Sequence, residues 1–172
     1  MAHQTRRDFL AATAFAGVTI PFTSVAHARA AREHDYTYEI QRTEEEWLEI
    51  LTEYEHSILR FNGTEWAKTS DLWDDYREGE FYCKGCDLHI YSSEWRVKLD
   101  KGWVFFSHGQ PAAVLMDIDK AANYSMTGGI DRTMIEAHCR RCGSHLGHIL
   151  MVDNKLVHCI NGVSLKFEPK AV

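Results

Sequence analysis

The sequence predicts one α+β domain, mostly β, in which a helical segment leads into antiparallel strands. Three observations predict it. A capping box at Thr43-x-x-Glu46 opens an apolar stripe at helical spacing. After residue 80, short apolar runs alternate with Gly, Asp, Asn and Ser, the rhythm of short strands and turns. Two Cys-x-x-Cys pairs, Cys83/Cys86 and Cys139/Cys142, sit far apart in the chain with the spacing that a tetrahedral zinc site uses. At 172 residues, 45% hydrophobic and 26% charged, the chain holds enough apolar material for one sizeable core. Its net charge is −6 and no basic stripe is visible, which argues against nucleic acid as a partner.

Residues 1–28 read as a segment apart from the domain. Thr5-Arg6-Arg7-Asp8-Phe9-Leu10 runs into the apolar stretch AATAFAGVTIPF, and Ala26-His27-Ala28 follows. Paired arginines, a modestly hydrophobic stretch and a small-x-small tripeptide have the form of a twin-arginine signal peptide with its cleavage site. A membrane anchor is the alternative. The stretch is short, rich in Ala, Gly and Thr and broken by Pro21, so it spans a bilayer poorly. Export by this route predicts a periplasmic mature protein that begins near Arg29, with residues 29–42 as a linker and the domain at 43–172.

Within the domain, Thr43 caps a helix whose first turn carries Glu44, Glu45 and Glu46, where the helix dipole favours negative charge. Trp47, Leu51, Tyr54 and Ile58 follow at helical steps, so they share one core-facing stripe. Asn62-Gly63 stops the helix. Strand-length runs come next: Phe81-Tyr82, Ile90-Tyr91, Trp95 to Leu99, Trp103 to Phe106 and Ala113 to Met116. Met134-Ile135, Ile149 to Met151, Leu156-Val157 and a terminal Ser164 to Phe167 complete them.

Zinc accepts four thiolates with no open position, so Cys83, Cys86, Cys139 and Cys142 predict a site that holds the fold and does no chemistry. Two disulfides are the alternative, because an exported protein meets an oxidising compartment. The turn-forming residues after each pair, Asp87 and Gly143, favour zinc knuckles. The twin-arginine route also carries proteins already folded, so the metal can bind before export.

The fifth cysteine, Cys159, stands alone. An isolated cysteine is most often a small buried hydrophobe. Its flanks point to reactivity instead. His158 precedes it as a source of positive charge that raises thiolate content, and the Asn161-Gly162 turn keeps a thiol reachable. His145 and His148, just past the second knuckle, offer two imidazoles that donate a hydrogen bond or a proton near neutral pH. A second metal site and a pair of structural histidines are the alternatives.

Taken in order, the chain presents Gly63-Thr64-Glu65, Cys83-Lys84-Gly85-Cys86, Ile90-Tyr91-Ser92-Ser93 and Gly102-Trp103. Cys139-Arg140-Arg141-Cys142, His145-Leu146-Gly147-His148 and Cys159-Ile160-Asn161-Gly162-Val163-Ser164-Leu165-Lys166-Phe167 follow. Together these segments resemble the methionine sulfoxide reductase B family, from about Thr43 to Phe167. The resemblance implies two antiparallel sheets with peripheral helices, a structural zinc on the far side from the active site, and reduction of the R epimer of methionine sulfoxide. It implies that Cys159 attacks the sulfoxide sulfur and becomes a sulfenic acid. His145 and His148 would bond the sulfoxide oxygen or its bound water, Asn161 would orient them, and Trp103 would wall the pocket against the S-methyl group. An outside thiol, a thioredoxin-like protein or a small molecule, would then restore Cys159.

Departures from the family pattern cluster near this site. Gly102-Trp103-Val104-Phe105-Phe106 stands where Gly-Trp-Pro-Ser-Phe is usual, and Val157 where an arginine is common. Leu150 to Lys155 is shorter and more apolar than the usual Asp-Asp-Gly-Pro loop, and Lys101 takes the place of a frequent resolving cysteine. These departures predict a less polar site. They also sustain a second reading, a zinc-stabilised binding module that keeps the sulfoxide pocket without turnover.

Overall fold

The computed structural model describes residues 36–119 and 133–171. The twin-arginine motif, the cleavage tripeptide and residues 29–35 of the expected linker lie outside the described residues. Among the described residues no helix is long and apolar enough to cross a membrane.

The single helix expected from Thr43 is two. Helix α1 covers Glu44–Leu48 and α2 covers Glu53–Leu59. A second capping box, Thr52-x-x-Glu55, explains the break. Thr52 takes an extended backbone (φ −66°, ψ 161°) and its side chain accepts the Glu55 N–H. The Glu55 carboxylate accepts the Thr52 N–H at 2.8 Å, as Glu46 does for Thr43 at the same distance. The interrupted stripe buries Trp47, Leu51 and Ile58 but leaves Tyr54 exposed, against the expectation that all four share the core face.

Among the described residues eight strands follow: β1 Gly79–Cys83, β2 His89–Ser92, β3 Val104–Phe106, β4 Val114–Asp119, β5 Met134–Cys139, β6 His145–Val152, β7 Lys155–Ile160 and β8 Leu165–Pro169. They form two antiparallel sheets, ordered β2-β1-β8 and β3-β7-β6-β5-β4. This is the expected fold class. The Trp95 to Leu99 run is not a strand. Ser92 caps the Glu94 N–H and turns the chain into a 3-10 turn at Ser93–Trp95. The run keeps one bridge, Arg96 to Phe106, with the Val97 N–H donating to the Phe105 carbonyl and the Ser107 N–H to the Trp95 carbonyl, each at 2.9 Å.

Alternation along the strands sorts the side chains into two apolar clusters. Val104, Phe106 and Ile160 enter the main core with Trp47, Phe81, Tyr91, Leu146 and the four paired cysteines. Each fully buried Phe or Leu there contributes about 1.5–3 kcal/mol. Phe105, Val157 and Cys159 belong to a smaller cluster with Leu99, Trp103 and Val152. The shortened loop after β6 is a two-residue turn, Asp153-Asn154, with φ of 47° and 59°. Two consecutive positive φ values mark the turn type that matches strand twist, so β6 and β7 stay paired out to Val152 and Lys155.

Candidate functional site

The two cysteine knuckles fold alike. The Cys83 carbonyl accepts the Asp87 N–H at 2.9 Å and the Cys139 carbonyl accepts the Gly143 N–H at 2.8 Å. The Cys83 and Cys139 N–H groups donate to Leu88 and Ser144 at 2.8 and 2.9 Å. Asp87 and Gly143 hold the same place in each turn, with left-handed φ of 56° and 68°. Glycine adopts that conformation without strain and aspartate tolerates it. At Gly143 a Cβ would also meet the Tyr38 ring at 2.8 Å. Tyr38 belongs to residues 36–42, which lie against this knuckle, with the Ile40 N–H bonded to the Arg141 carbonyl at 3.0 Å.

The β1–β2 and β5–β6 connections bring the four sulfurs within 4.8 Å of one another. Cys83 and Cys142 are 3.7 Å apart and Cys86 and Cys139 3.5 Å. Four thiolates about 2.3 Å from a tetrahedral zinc have sulfurs about 3.8 Å apart. A disulfide needs about 2.0 Å, and all five cysteines are free. The quartet therefore fits zinc. Its three sulfur neighbours, together with burial, push the Cys83 thiol well above its ordinary range. A divalent cation answers that crowding of buried sulfur.

Cys159 lies one residue from the end of β7. It is opposite Phe105 of β3 on one side and His148 of β6 on the other. His148 is in turn opposite Glu136 of β5. Directly opposed residues share a sheet face, so Phe105, Cys159, His148 and Glu136 form one row. The His148 Nε2 is 3.1 Å from the Asp119 carboxylate, and the His145 Nδ1 is 2.8 Å from Glu136. The two rings meet edge to face at 5.1 Å. Burial lowers the His145 pKa despite the Glu136 carboxylate, so the ring is neutral near pH 7. A carboxylate only accepts, so the ring proton sits on Nδ1. That leaves Nε2 as a buried acceptor with no partner among the described residues.

The thiol itself is in apolar company. Trp103, Leu99, Phe105, Val152 and Val157 share its cluster. Val157, where an arginine is common in the family, is 1% exposed. Burial pushes the Cys159 thiol up to about 12, and the Glu65 charge adds to the rise. His158 does not supply the missing positive charge. As the next residue along a strand it faces the other side, where its Nδ1 meets the buried Tyr91 hydroxyl at 3.0 Å. Burial also lowers its pKa.

Trp103 is half-buried, and its indole N–H donates to the Glu65 carbonyl at 3.2 Å. Asn161 is buried and uses its amide on the backbone. Its Nδ2 donates to Leu146 at 3.2 Å and Gly63 at 3.4 Å, and its Oδ1 accepts the Glu65 N–H at 3.1 Å. The structure thus brings Cys159, His148 and Trp103 to one region, sets His145 edge-on to His148, and makes Asn161 a clamp on the surrounding backbone. Sequence reasoning missed the roles of Asp119, Glu136 and Glu65. The available signal was an acid inside an apolar strand run, as in Ile135-Glu136-Ala137 and Ile118-Asp119.

Residues 51–169 match the SelR domain family. The chain is 34% identical over 137 residues to peptide methionine sulfoxide reductase B3 of Arabidopsis thaliana, covering 77% of this chain and 72% of that protein. It is 34% identical over 134 residues to the peptide methionine sulfoxide reductase MsrB of Leptospira interrogans, covering 76% and 97%. The protein of the same name from Thiobacillus denitrificans is 35% identical over 132 residues, covering 75% and 95%.

Proposed function

The chain belongs to the methionine sulfoxide reductase B family, and from that premise we propose that it reduces the R epimer of methionine sulfoxide, with Cys159 as the nucleophile. The observation that supports this most directly is the pairing of Cys159 opposite His148, with Trp103 in the same cluster. The Cys159 sulfur attacks the sulfoxide sulfur. Oxygen and the thiol proton end on Cys159 as a sulfenic acid, while the methionine sulfur gains two electrons and leaves as a thioether. With a thiol raised to about 12, thiolate is scarce at neutral pH, so the proton must move as the attack proceeds. His148, held at Nε2 by Asp119, is the imidazole placed to assist that transfer. One external thiol condenses with the sulfenic acid, releasing water, and a second frees Cys159 from the mixed disulfide. Zinc held by Cys83, Cys86, Cys139 and Cys142 would join the two knuckles and supply no chemistry to the substrate.

The test uses the purified protein with each epimer of methionine sulfoxide and a dithiol reductant. Methionine is expected from the R epimer alone, and none from Cys159→Ser. The raised thiol and its apolar surroundings favour a second reading, a module that binds the sulfoxide without turnover. Saturable binding with no methionine formed from either epimer would establish that reading instead.

The proposal extends to the periplasm as the site of action and a periplasmic thioredoxin-like protein or small thiol as reductant. Thr5-Arg6-Arg7-Asp8-Phe9-Leu10 and Ala26-His27-Ala28 support export by the twin-arginine route. Replacing Arg6 and Arg7 with lysines keeps the charge and should hold the precursor in the cytoplasm. An unchanged periplasmic yield rejects the route.

A further inference from the structure

Glu65 is 2% exposed and makes no ion pair among the described residues. Desolvation raises its pKa, against the pull of two backbone N–H groups. A buried carboxylate with no cation is an expensive way to hold a loop, so what it holds is informative. Its Oε1 accepts the Gly162 N–H at 2.7 Å and its Oε2 the Val163 N–H at 2.9 Å. These two residues begin the turn that leaves β7 just beyond Cys159. The Glu65 N–H donates to Asn161 Oδ1, and its carbonyl accepts the Trp103 indole N–H. Through Asn161 the connection reaches the Leu146 carbonyl, between His145 and His148. Four hydrogen bonds from one residue therefore tie together the turn after the thiol and the tryptophan wall, and a fifth, from Asn161, adds the strand that carries both imidazoles.

We propose that Glu65 is the positioning residue of this pocket, holding the Asn161-to-Val163 turn and Trp103 in register around Cys159. The proposal deepens the functional reading and rests on Cys159 as the reacting thiol. A negative charge beside a thiol disfavours the thiolate, so Glu65 helps turnover only through the geometry it holds. Position and charge thus act on the site with opposite signs, which makes them separable.

The experiment compares wild type, Glu65→Gln and Glu65→Asp as full-length, zinc-loaded protein. Glu65→Gln removes the charge and one acceptor. Glu65→Asp keeps the charge and withdraws it by one methylene. Two readouts are taken: alkylation of Cys159 by iodoacetamide at neutral pH, resolved by mass, and kcat and KM for the R sulfoxide. The facing imidazole, His148, is unchanged in all three proteins. In Glu65→Gln the alkylation should speed up, by about tenfold for each unit the thiol pKa falls. Its kcat/KM should nevertheless fall, on the order of 10²-fold, because displacement of a positioned pocket is costly. Glu65→Asp should alkylate at the wild-type rate and lose kcat/KM as Glu65→Gln does. Wild-type kcat/KM in either variant overturns the proposal, as does a loss that tracks lost zinc. If neither variant folds, Trp103→Phe takes away the indole N–H bonded to Glu65 together with part of the ring, and an unchanged kcat/KM overturns the proposal. A wild-type protein without turnover would defeat the functional reading. The alkylation arm still reads Glu65 against Cys159 in that case, and equal rates in wild type and Glu65→Gln would sever the two.

Discussion

Five thiols of one chain meet two different surroundings. Four sit at the tips of two hairpin turns, buried in the main core, each with sulfur as its neighbour. The fifth sits near the end of β7, in a smaller cluster of tryptophan, leucine, phenylalanine and valine, with histidine opposite. The four are buried and Cys159 is partly so, and shielding from solvent alone does not decide what a cysteine does. What differs is the set of competing partners. Sulfurs spaced for tetrahedral coordination satisfy one another through a metal and are withdrawn from reaction. A thiol walled by hydrocarbon and faced by an imidazole has no such set of sulfur partners among the described residues.

The sharpest way to break this comparison is to exchange the consequences of substitution. Cys83→Ser should lose zinc and unfold the domain, because structural zinc contributes apparent binding energies of about 10–16 kcal/mol, comparable to a domain's whole stability. Metal analysis with circular dichroism checks it; a folded, zinc-free variant would show that the quartet is not a staple. Cys159→Ser should do the reverse, with zinc content and thermal midpoint held and turnover abolished. Turnover persisting in that variant would move the chemistry elsewhere.

His148→Ala grades the effect more finely. It should slow turnover by about 10²–10⁴-fold, the usual contribution of a positioned proton donor, with zinc unchanged. A variant as fast as wild type would leave His148 as a structural residue. Smaller still is the resting reactivity of the lone thiol. With Cys159 pushed up to about 12, its alkylation in the substrate-free protein should be slow at pH 7. It should keep climbing through the alkaline range, since the thiolate fraction rises only as pH approaches the raised value. A midpoint between about pH 8 and 9, the ordinary thiol range, would show that the apolar wall does not hold the proton on.

The quartet and the lone cysteine were legible in the sequence because their signals are local: a Cys-x-x-Cys spacing, a turn residue after it, a thiol before Asn161-Gly162. The order of strands was legible as well, since short apolar runs between turn residues mark their positions even without their pairing. What escaped was set by neighbours that only folding supplies. The helix from Thr43 breaks because Thr52-x-x-Glu55 is a second capping box lying within an otherwise continuous stripe. Trp95 to Leu99 alternates like a strand, but the 3-10 turn at Ser93–Trp95 leaves it a single bridge to β3. Glu136 and Asp119 reach the imidazoles across strands, and Glu65 reaches Gly162 from far away in the sequence. His158 shows the converse error. Adjacency to Cys159 suggested contact, yet strand alternation sends the two side chains to opposite faces.

The last contrast between the two kinds of thiol comes down to a single oxygen atom. If Cys159 carries the reaction and the quartet is committed to zinc, no internal thiol is free to resolve a sulfenic acid. Lys101, which stands where many relatives would carry a resolving cysteine, is instead paired with Asp153 at 3.1 Å. Reduced protein given one equivalent of the R sulfoxide, with no reductant, should therefore stop after one turnover with the oxygen on Cys159. A sulfenic-acid reagent should label that residue alone, and zinc should remain bound. Sulfenic acids beside a free thiol condense to disulfides, so persistence of the label is itself a measure of how completely the quartet is withdrawn. If a disulfide forms from Cys159 to a knuckle cysteine and zinc is released, the two environments are not separate, and the metal site doubles as the source of the resolving thiol.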